Sequence, residues 1–298
     1  VQALFGDAVL IARYQRGRYG LGTALQCFVQ RVAALHQRQR FDLLWIEKEA
    51  LPWWPLWSEA ALLRGVPYVL DYDDAVFHNY DQHRLTAVRH VFGKRLDCLM
   101  AKASLVVGGN EYLAQRARAA GAPWVEVLPT AIDLGRYPTP AFKSTPLAGQ
   151  LPRIVWIGSP STVRYLQLLR EPLQALAKRL PFVLRVIGGG AVDLPSVQVE
   201  VVRWAEATGV ENISACQVGV MPLQDSPWER GKCGYKLVQY MACGLPVVAS
   251  HVGVNSEIVR NGENGYLATS PEDWVIALER LLQSPLLQAQ MGAAGRRR

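Results

Sequence analysis

Short apolar runs recur along the whole chain, separated by stretches whose apolar positions follow helical spacing. Runs at residues 42–46, 68–70, 105–107 and 125–128 read as strands in the first half, and runs at 154–157, 183–187, 197–201, 218–221 and 247–249 do so in the second. The run at 247–249 is apolar throughout, which predicts a strand buried in a parallel sheet. Residues 22–39 carry a helical pattern. Residues 272–282 form a second amphipathic pattern, introduced by Ser270 as cap and Pro271 at the first helical position. Alternation of β and α in both halves predicts two doubly wound sheets, each Rossmann-like. The segment 137–152 holds Pro138, Pro140, Pro146 and Pro152 with Gly149, and reads as a linker between domains spanning 1–140 and 141–298. Ligands are then expected at the carboxyl ends of the strands, in the cleft between the domains.

The most informative stretch is GKCGYKLVQYMACGLPVVAS, residues 231–250. It reads as a glycine-punctuated loop with two lysines, a short helix and a buried strand. If the helix starts near Cys233, Lys232 and Lys236 lie on one face at its N-terminal end, where unpaired N–H groups and the positive dipole end also sit. That combination suits a phosphate-bearing ligand. Gly244 marks the helix end and Pro246 blocks continuation.

Composition narrows the classes. The 298 residues are 50% hydrophobic and 19% charged, which fits about two globular domains. No apolar run approaches the ~20 residues of a membrane span. The chain opens on Val1 instead of Met, so the lack of a signal segment carries no weight. The net charge of +7 draws on Arg13, Arg16, Arg18, Arg31, Arg38 and Arg40, and on 296–298 at the other end. Beside Trp53, Trp54 and Trp57, this basic first half reads either as a seat on an anionic membrane or as a solvated face with a partly buried aromatic loop. No nucleic-acid-binding pattern is present. The five cysteines include no C-x-x-C pair, which points to reduced thiols in the cytosol, and the five histidines have no zinc spacing.

Taken in order, WIGSPST (residues 156–162), the 231–250 segment, Gly253, Glu257 and NGENGYLA (261–268) resemble the family 4, or group 1, retaining glycosyltransferases of the GT-B fold. The resemblance implies transfer of a sugar from a nucleotide-diphosphate sugar to an acceptor hydroxyl, with retention, without a metal and without a cofactor beyond the donor itself. It assigns the acceptor to the first domain and the donor to the second. Lys232 and Lys236 are expected to stabilise the leaving diphosphate, aided by Gly158 and Ser159. Gly188, in the glycine run after the strand at 183–187, is expected beside the donor, as are Gly253 and Glu257. A helix N-terminal carboxylate is the other reading of Glu257. Trp204, near Glu206, lies where the family holds the base, or else only packs in the core. The family's E-x7-E positions fall on Gly231 and Gln239, neither acidic. Gln239 retains hydrogen-bonding capacity toward a ribose, and Asp225 or Glu229 just upstream is a candidate substitute carboxylate.

In the first half, YVLDYDDAVFH (68–78) ends a strand in three aspartates. By position Asp73 or Asp74 is expected to take the acceptor proton, with His78 close by. Helix capping is the competing reading, and Asp71 with Asp73 also fits the D-x-D metal motif of the other large glycosyltransferase fold. Asn110-Glu111 and the turn at 129–133 are weaker matches that plain capping explains equally well. The first strand with its glycine-rich loop and the returning C-terminal helix of the family are not visible, so the resemblance implies an incomplete enzyme. A glycan or lipid-linked acceptor of the cell envelope, at the inner membrane face, fits the basic, tryptophan-rich half. Rival functions are a nucleotide-sugar epimerase, a catalytically degenerate nucleotide-sugar-binding module, and a dehydrogenase, which lacks its G-x-G-x-x-G.

Overall fold

A computed structural model describes residues 3–6, 9–10, 12–13, 19–137 and 149–298. Residues 138–148 of the expected linker, and Arg16 and Arg18 of the basic cluster, lie outside the described residues. The chain divides into two compact units. One comprises Val1–Pro129 with Gly231–Cys233, the other Thr130–Arg230 with Gly234–Arg298.

The first unit is built on strands β1 (Leu44–Glu47), β2 (Tyr68–Tyr72), β3 (Leu105–Gly108) and β4 (Val125–Val127). They form one parallel sheet in the order β1-β2-β3-β4. Its helices include α1 (Leu21–His36), α2 (Leu56–Leu63) and α3 (Glu111–Ala119). Parallel strands need crossovers that cover the sheet faces, which is why β2 is apolar almost throughout, with Val69 and Leu70 buried. The segment after β1 is fixed by buried charge. Arg95, 1% exposed, donates to the carbonyls of Leu51 (2.6 Å) and Trp54 (2.9 Å) and pairs with Glu49 and with the fully buried Glu59. The Tyr80 hydroxyl, which accepts the Trp53 N–H, donates to Glu49 at 2.6 Å.

The second unit holds β5 (Arg153–Ile157), β6 (Val183–Ile187), β7 (Gln198–Val202), β8 (Val218–Met221), β9 (Val247–Ser250) and β10 (Gly265–Ala268). Its main helices are α4 (Arg170–Ala177), α5 (Glu206–Ser214), α6 (Tyr235–Ala242), α7 (Pro271–Gln283) and α8 (Pro285–Arg297). The six strands are parallel in the order β10-β9-β8-β5-β6-β7. The order reverses between β5 and β8, and doubly wound sheets bind ligands outside the carboxyl ends at such a point. Alternate residues feed two cores. Val155, Ile157, Met221, Val247 and Ala249 face one side with Leu237 and Tyr240 of α6, and Ile154, Trp156, Val218, Val220 and Val248 face the other. Close fit of α6 on the sheet depends on Gly219, where a Cβ would lie 2.4 Å from the Tyr240 ring. The Tyr240 hydroxyl accepts the Ile157 N–H at 2.9 Å, so the ring is pinned at both ends.

Three local outcomes differ from or add to the sequence reading. β10, which pairs with β9, is a strand that the pattern of short runs did not reveal. The helix after the lysine loop starts at Tyr235, not near Cys233, because Gly234 has φ +72 and the left-handed backbone ends the loop there. Lys232 therefore precedes the helix, and the two lysines do not share a helical face. At the other end Gly244, also at φ +72, donates to the Met241 carbonyl while Leu245 donates to that of Tyr240, the paired bonds of a Schellman ending.

Candidate functional site

In the second unit, the loops after β5 and β6 meet above Trp156. This indole is 1% exposed, and a Cβ added at Gly158 would lie 2.5 Å from it, one added at Gly189 2.7 Å. A Cβ at Gly188 would fall 2.6 Å from the Gly158 carbonyl. The glycines are thus required for close approach of two loops over one ring. Lys236, in the first turn of α6, places its ammonium 4.7 Å from the Trp156 ring centroid. A cation held over an indole face is attracted by the ring quadrupole. Gly158, Ser159, Gly188 and Lys236 are therefore gathered at the carboxyl ends of β5 and β6, beside the reversal of strand order.

The backbone N–H groups there are already engaged. Gly158 donates to the Ile187 carbonyl (3.0 Å), Gly188 to that of Val202 (2.9 Å), and Ser159 to the Thr162 hydroxyl (3.1 Å). The Ser159 hydroxyl meets that of Ser161 at 2.8 Å. What these residues provide is room beside Lys236, while the charge comes from the lysine.

Next to this lies a cavity of about 150 Å³ lined by Trp204, Tyr235, Gln239, Tyr137, Arg136 and Glu206, among others. The Trp204 ring packs against Gly209, where a Cβ would lie 2.6 Å from it, and the residue is 44% exposed, so it forms a wall and not a core filling. Gln239 is buried and donates to the Tyr137 hydroxyl at 3.4 Å. Arg136 and Glu206 form an ion pair at the solvent side of the same cavity. Gly253, at φ +53, packs on the backbone of Arg230, and Glu257 is exposed on the short helix Asn255–Ile258. Of the two upstream acids, Asp225 is exposed in a two-pronged pair with Arg230. Glu229 is buried, accepting from Tyr165 at 2.5 Å and from Ser226.

In the first unit, the loops after β2 and β3 hold the Gly231–Cys233 tripeptide. A Cβ at Gly231 would lie 2.4 Å from that of Ala75, and one at Gly109 2.4 Å from the Cys233 sulfur. Asn110 caps α3 by accepting the Leu113 N–H (3.0 Å), and its amide donates to the Lys232 carbonyl at 3.0 Å. Lys232 pairs with Asp74 at 3.3 Å. Lys48 pairs with Asp73 at 2.8 Å and reaches Asp74 at 3.7 Å. Neither aspartate caps the helix His78–Asp81, whose first residue follows Phe77 with no side-chain cap. Burial lowers the Lys48 ammonium, but the hydrogen bond and charge of Asp73, with Asp74 and Glu47 adding, leave it raised. The Cys233 thiol is pushed up to about 12 by burial first and then by Asp73 and Asp74, so it is no nucleophile at neutral pH. Asp71 accepts from the Trp45 indole at 3.1 Å, so it and Asp73 turn to different partners. His78 is nearly buried between Asp81 (2.7 Å) and the Tyr112 hydroxyl (2.8 Å). The sequence reading passed over Lys48 and Trp156. The first follows a strand end directly, a position worth attention in any such sheet, and the second sat inside a motif already noted.

Residues 151–284 match the family model described as glycosyl transferases group 1. A D-inositol 3-phosphate glycosyltransferase of Paenarthrobacter aurescens is 27% identical over 191 residues, covering 56% of this chain and 45% of the relative. The chain spans less than half the length of the curated relatives it matches. Sucrose-phosphate synthase from Thermosynechococcus elongatus is similar in structure with a TM-score of 0.68 at 20% identity, over 92% of this chain and 72% of that one. HepE from Anabaena, crystallised with UDP, has a TM-score of 0.68 at 17% identity, over 90% and 76%. Over residues 151–284 the chain is thus similar to the group 1 glycosyltransferases, and the two parallel-sheet units have the GT-B fold.

Proposed function

We propose that this protein transfers a glycosyl group from a nucleotide-diphosphate sugar to an acceptor hydroxyl, with retention and without a metal ion. The second unit holds the donor and the first unit the acceptor. The observation that carries the reading is the seat of Lys236 on Trp156, under the glycine loops at the reversal of strand order. A departing diphosphate gathers negative charge, and a fixed ammonium stabilises it without reorganising at the moment of reaction. The Trp204–Tyr235–Gln239 cavity takes the nucleoside, with an aromatic wall for the base and the Gln239 amide toward the ribose. Crystals of HepE with UDP and with UDP-glucose support a donor of this class.

In the transfer, the acceptor O–H bond breaks and its proton passes to Asp73 or Asp74. The oxygen's electron pair forms the new bond to the anomeric carbon. The bond to the diphosphate breaks with its pair leaving on phosphate, on the same face as the attack, beside Lys236. We further place the acceptor at an anionic membrane surface. Leu21, Leu25 and Val29 form an exposed stripe four residues apart on α1, and Trp53 and Trp57 are exposed in the same unit. Among the described residues no helix is long and apolar enough to cross a membrane.

The test is a melting-temperature screen with UDP-, GDP-, ADP- and CMP-linked sugars, with and without Mg²⁺. Donor at 100 times its dissociation constant adds ~2.7 kcal/mol of stability. One nucleotide class is expected to raise the melting temperature equally with and without metal, and to release free nucleotide only when acceptor is added. Release without acceptor would favour the epimerase, and binding without release a degenerate binding module. Sedimentation with phosphatidylglycerol vesicles, but not with phosphatidylcholine ones, checks the membrane contact.

A further inference from the structure

Lys48, the residue after β1, has φ +61. It is the centre of a three-residue turn that the Glu49 N–H closes onto the Glu47 carbonyl at 2.8 Å. Turns of this kind are rare and strained for any residue but glycine, and they persist only where the surroundings over-determine them. Here they do. The Lys48 N–H donates to the Asp71 carbonyl at 2.7 Å, tying the turn to the end of β2. Glu49 is locked by Arg95 and Tyr80, and Arg95 in turn holds the carbonyls of Leu51 and Trp54.

Glycine at position 48 would relieve the strain. What lysine adds is an ammonium, and it is delivered to two carboxylates. Asp73 lies at 2.8 Å and Asp74 at 3.7 Å, while Lys232 holds Asp74 from its other oxygen at 3.3 Å. The Asp73 side chain is 52% exposed and that of Lys48 33%. An ion pair so open to water adds little to stability, so stability does not account for the strained turn. Orientation does: without Lys48, two adjacent like charges would share Lys232 alone.

We propose that Lys48 is a positioning residue that holds the Asp73 carboxylate in place to receive the acceptor proton. The proposal rests on the reading of Asp73 or Asp74 as the base. Lys48 itself stays protonated throughout and transfers nothing.

The test is a double-mutant cycle on the full chain, with acceptor-dependent nucleotide release as readout. Misplacing a reacting group costs up to about 100-fold. Lys48→Met is therefore expected to lower kcat roughly 10- to 100-fold with donor KM unchanged, and Lys48→Arg to recover most of it. In the Asp73→Asn background the same Lys48→Met change should cost less than about twofold. Titration of the Lys48 side chain by ¹³Cε NMR supplies a readout apart from activity. Its ammonium should titrate above the ordinary lysine value and fall back in Asp73→Asn. An equal loss in both backgrounds, or no recovery with arginine, overturns the positioning role alone. Full turnover in both Asp73→Asn and Asp74→Asn overturns the base reading, and the proposal with it.

Discussion

Replacing Lys236 with methionine removes a charge and keeps most of the stem, so stability and chemistry respond separately. The ammonium sits 4.7 Å from the Trp156 ring centroid in a half-buried position. A contact of that kind is worth about 0.5–1 kcal/mol, and lysine and methionine have similar helix propensities. For a domain of this size that lowers the melting temperature by only about 2–4 °C. The expected effect on the reaction is larger. A charge ~4 Å from the leaving phosphate at an effective dielectric of ~20 interacts with it by about 4 kcal/mol. If half of that appears only as the bond to phosphate breaks, the loss is ~2 kcal/mol, or roughly 30-fold in rate. The assay is steady-state release of nucleoside diphosphate, with donor varied at saturating acceptor, beside a thermal melt of the same sample. We expect kcat to fall at least tenfold and Lys236→Arg to retain an intermediate rate. A kcat within about twofold of wild type, in a variant that melts within a few degrees of it, would refute the assignment of Lys236 to the leaving group.

Two further predictions concern stability. Arg95→Met leaves Glu49 and Glu59 in the interior without their cation, and loss of one member of a buried pair costs about 3–5 kcal/mol. Urea unfolding monitored by tryptophan fluorescence should show it, and a loss below about 1 kcal/mol would mean the loop from 48 to 55 is held by packing instead. Asp273→Asn weakens the capping box of α7, where the carboxylate accepts from the Thr269 and Ser270 N–H groups and the Thr269 hydroxyl. The cost should be about 1 kcal/mol near neutral pH. Those hydrogen bonds, chiefly the backbone one from Thr269, lower the Asp273 pKa to about 2 from an ordinary 3.8. A depressed folded value means the stabilisation is present above the ordinary value and lost as pH falls toward the folded one. The gap in melting temperature between wild type and variant should therefore close between about pH 4 and pH 2, and a gap constant across that range would contradict the hydrogen-bonding account.

Most of the strands were legible because strands covered on both faces leave apolar runs, as at 154–157 and 247–249. β10 escaped because four residues that open on glycine carry no such run, and its pairing with β9 is decided far away in sequence. The lysine loop shows a different limit. The letters G-K-C-G-Y-K allow a helix beginning at Cys233 or at Tyr235, and only the left-handed turn at Gly234 decides between them. That turn separates Lys232, which pairs with Asp74 at 158 positions' distance, from Lys236, which sits over Trp156. Two cations read as one device are therefore held by different units. Chemistry-bearing residue types stand out in a sequence because the reaction needs them, whereas the residues that aim them are ordinary letters. Lys48 matches no motif and Trp156 reads as one more strand position, yet each fixes a charged group of the proposed reaction. Their signal is a backbone angle in one case and the absence of three Cβ atoms in the other. Both are properties of how the chain is bent, and a reading of residue types has access to them only where glycine, as at Gly158, Gly188 and Gly234, marks the bend.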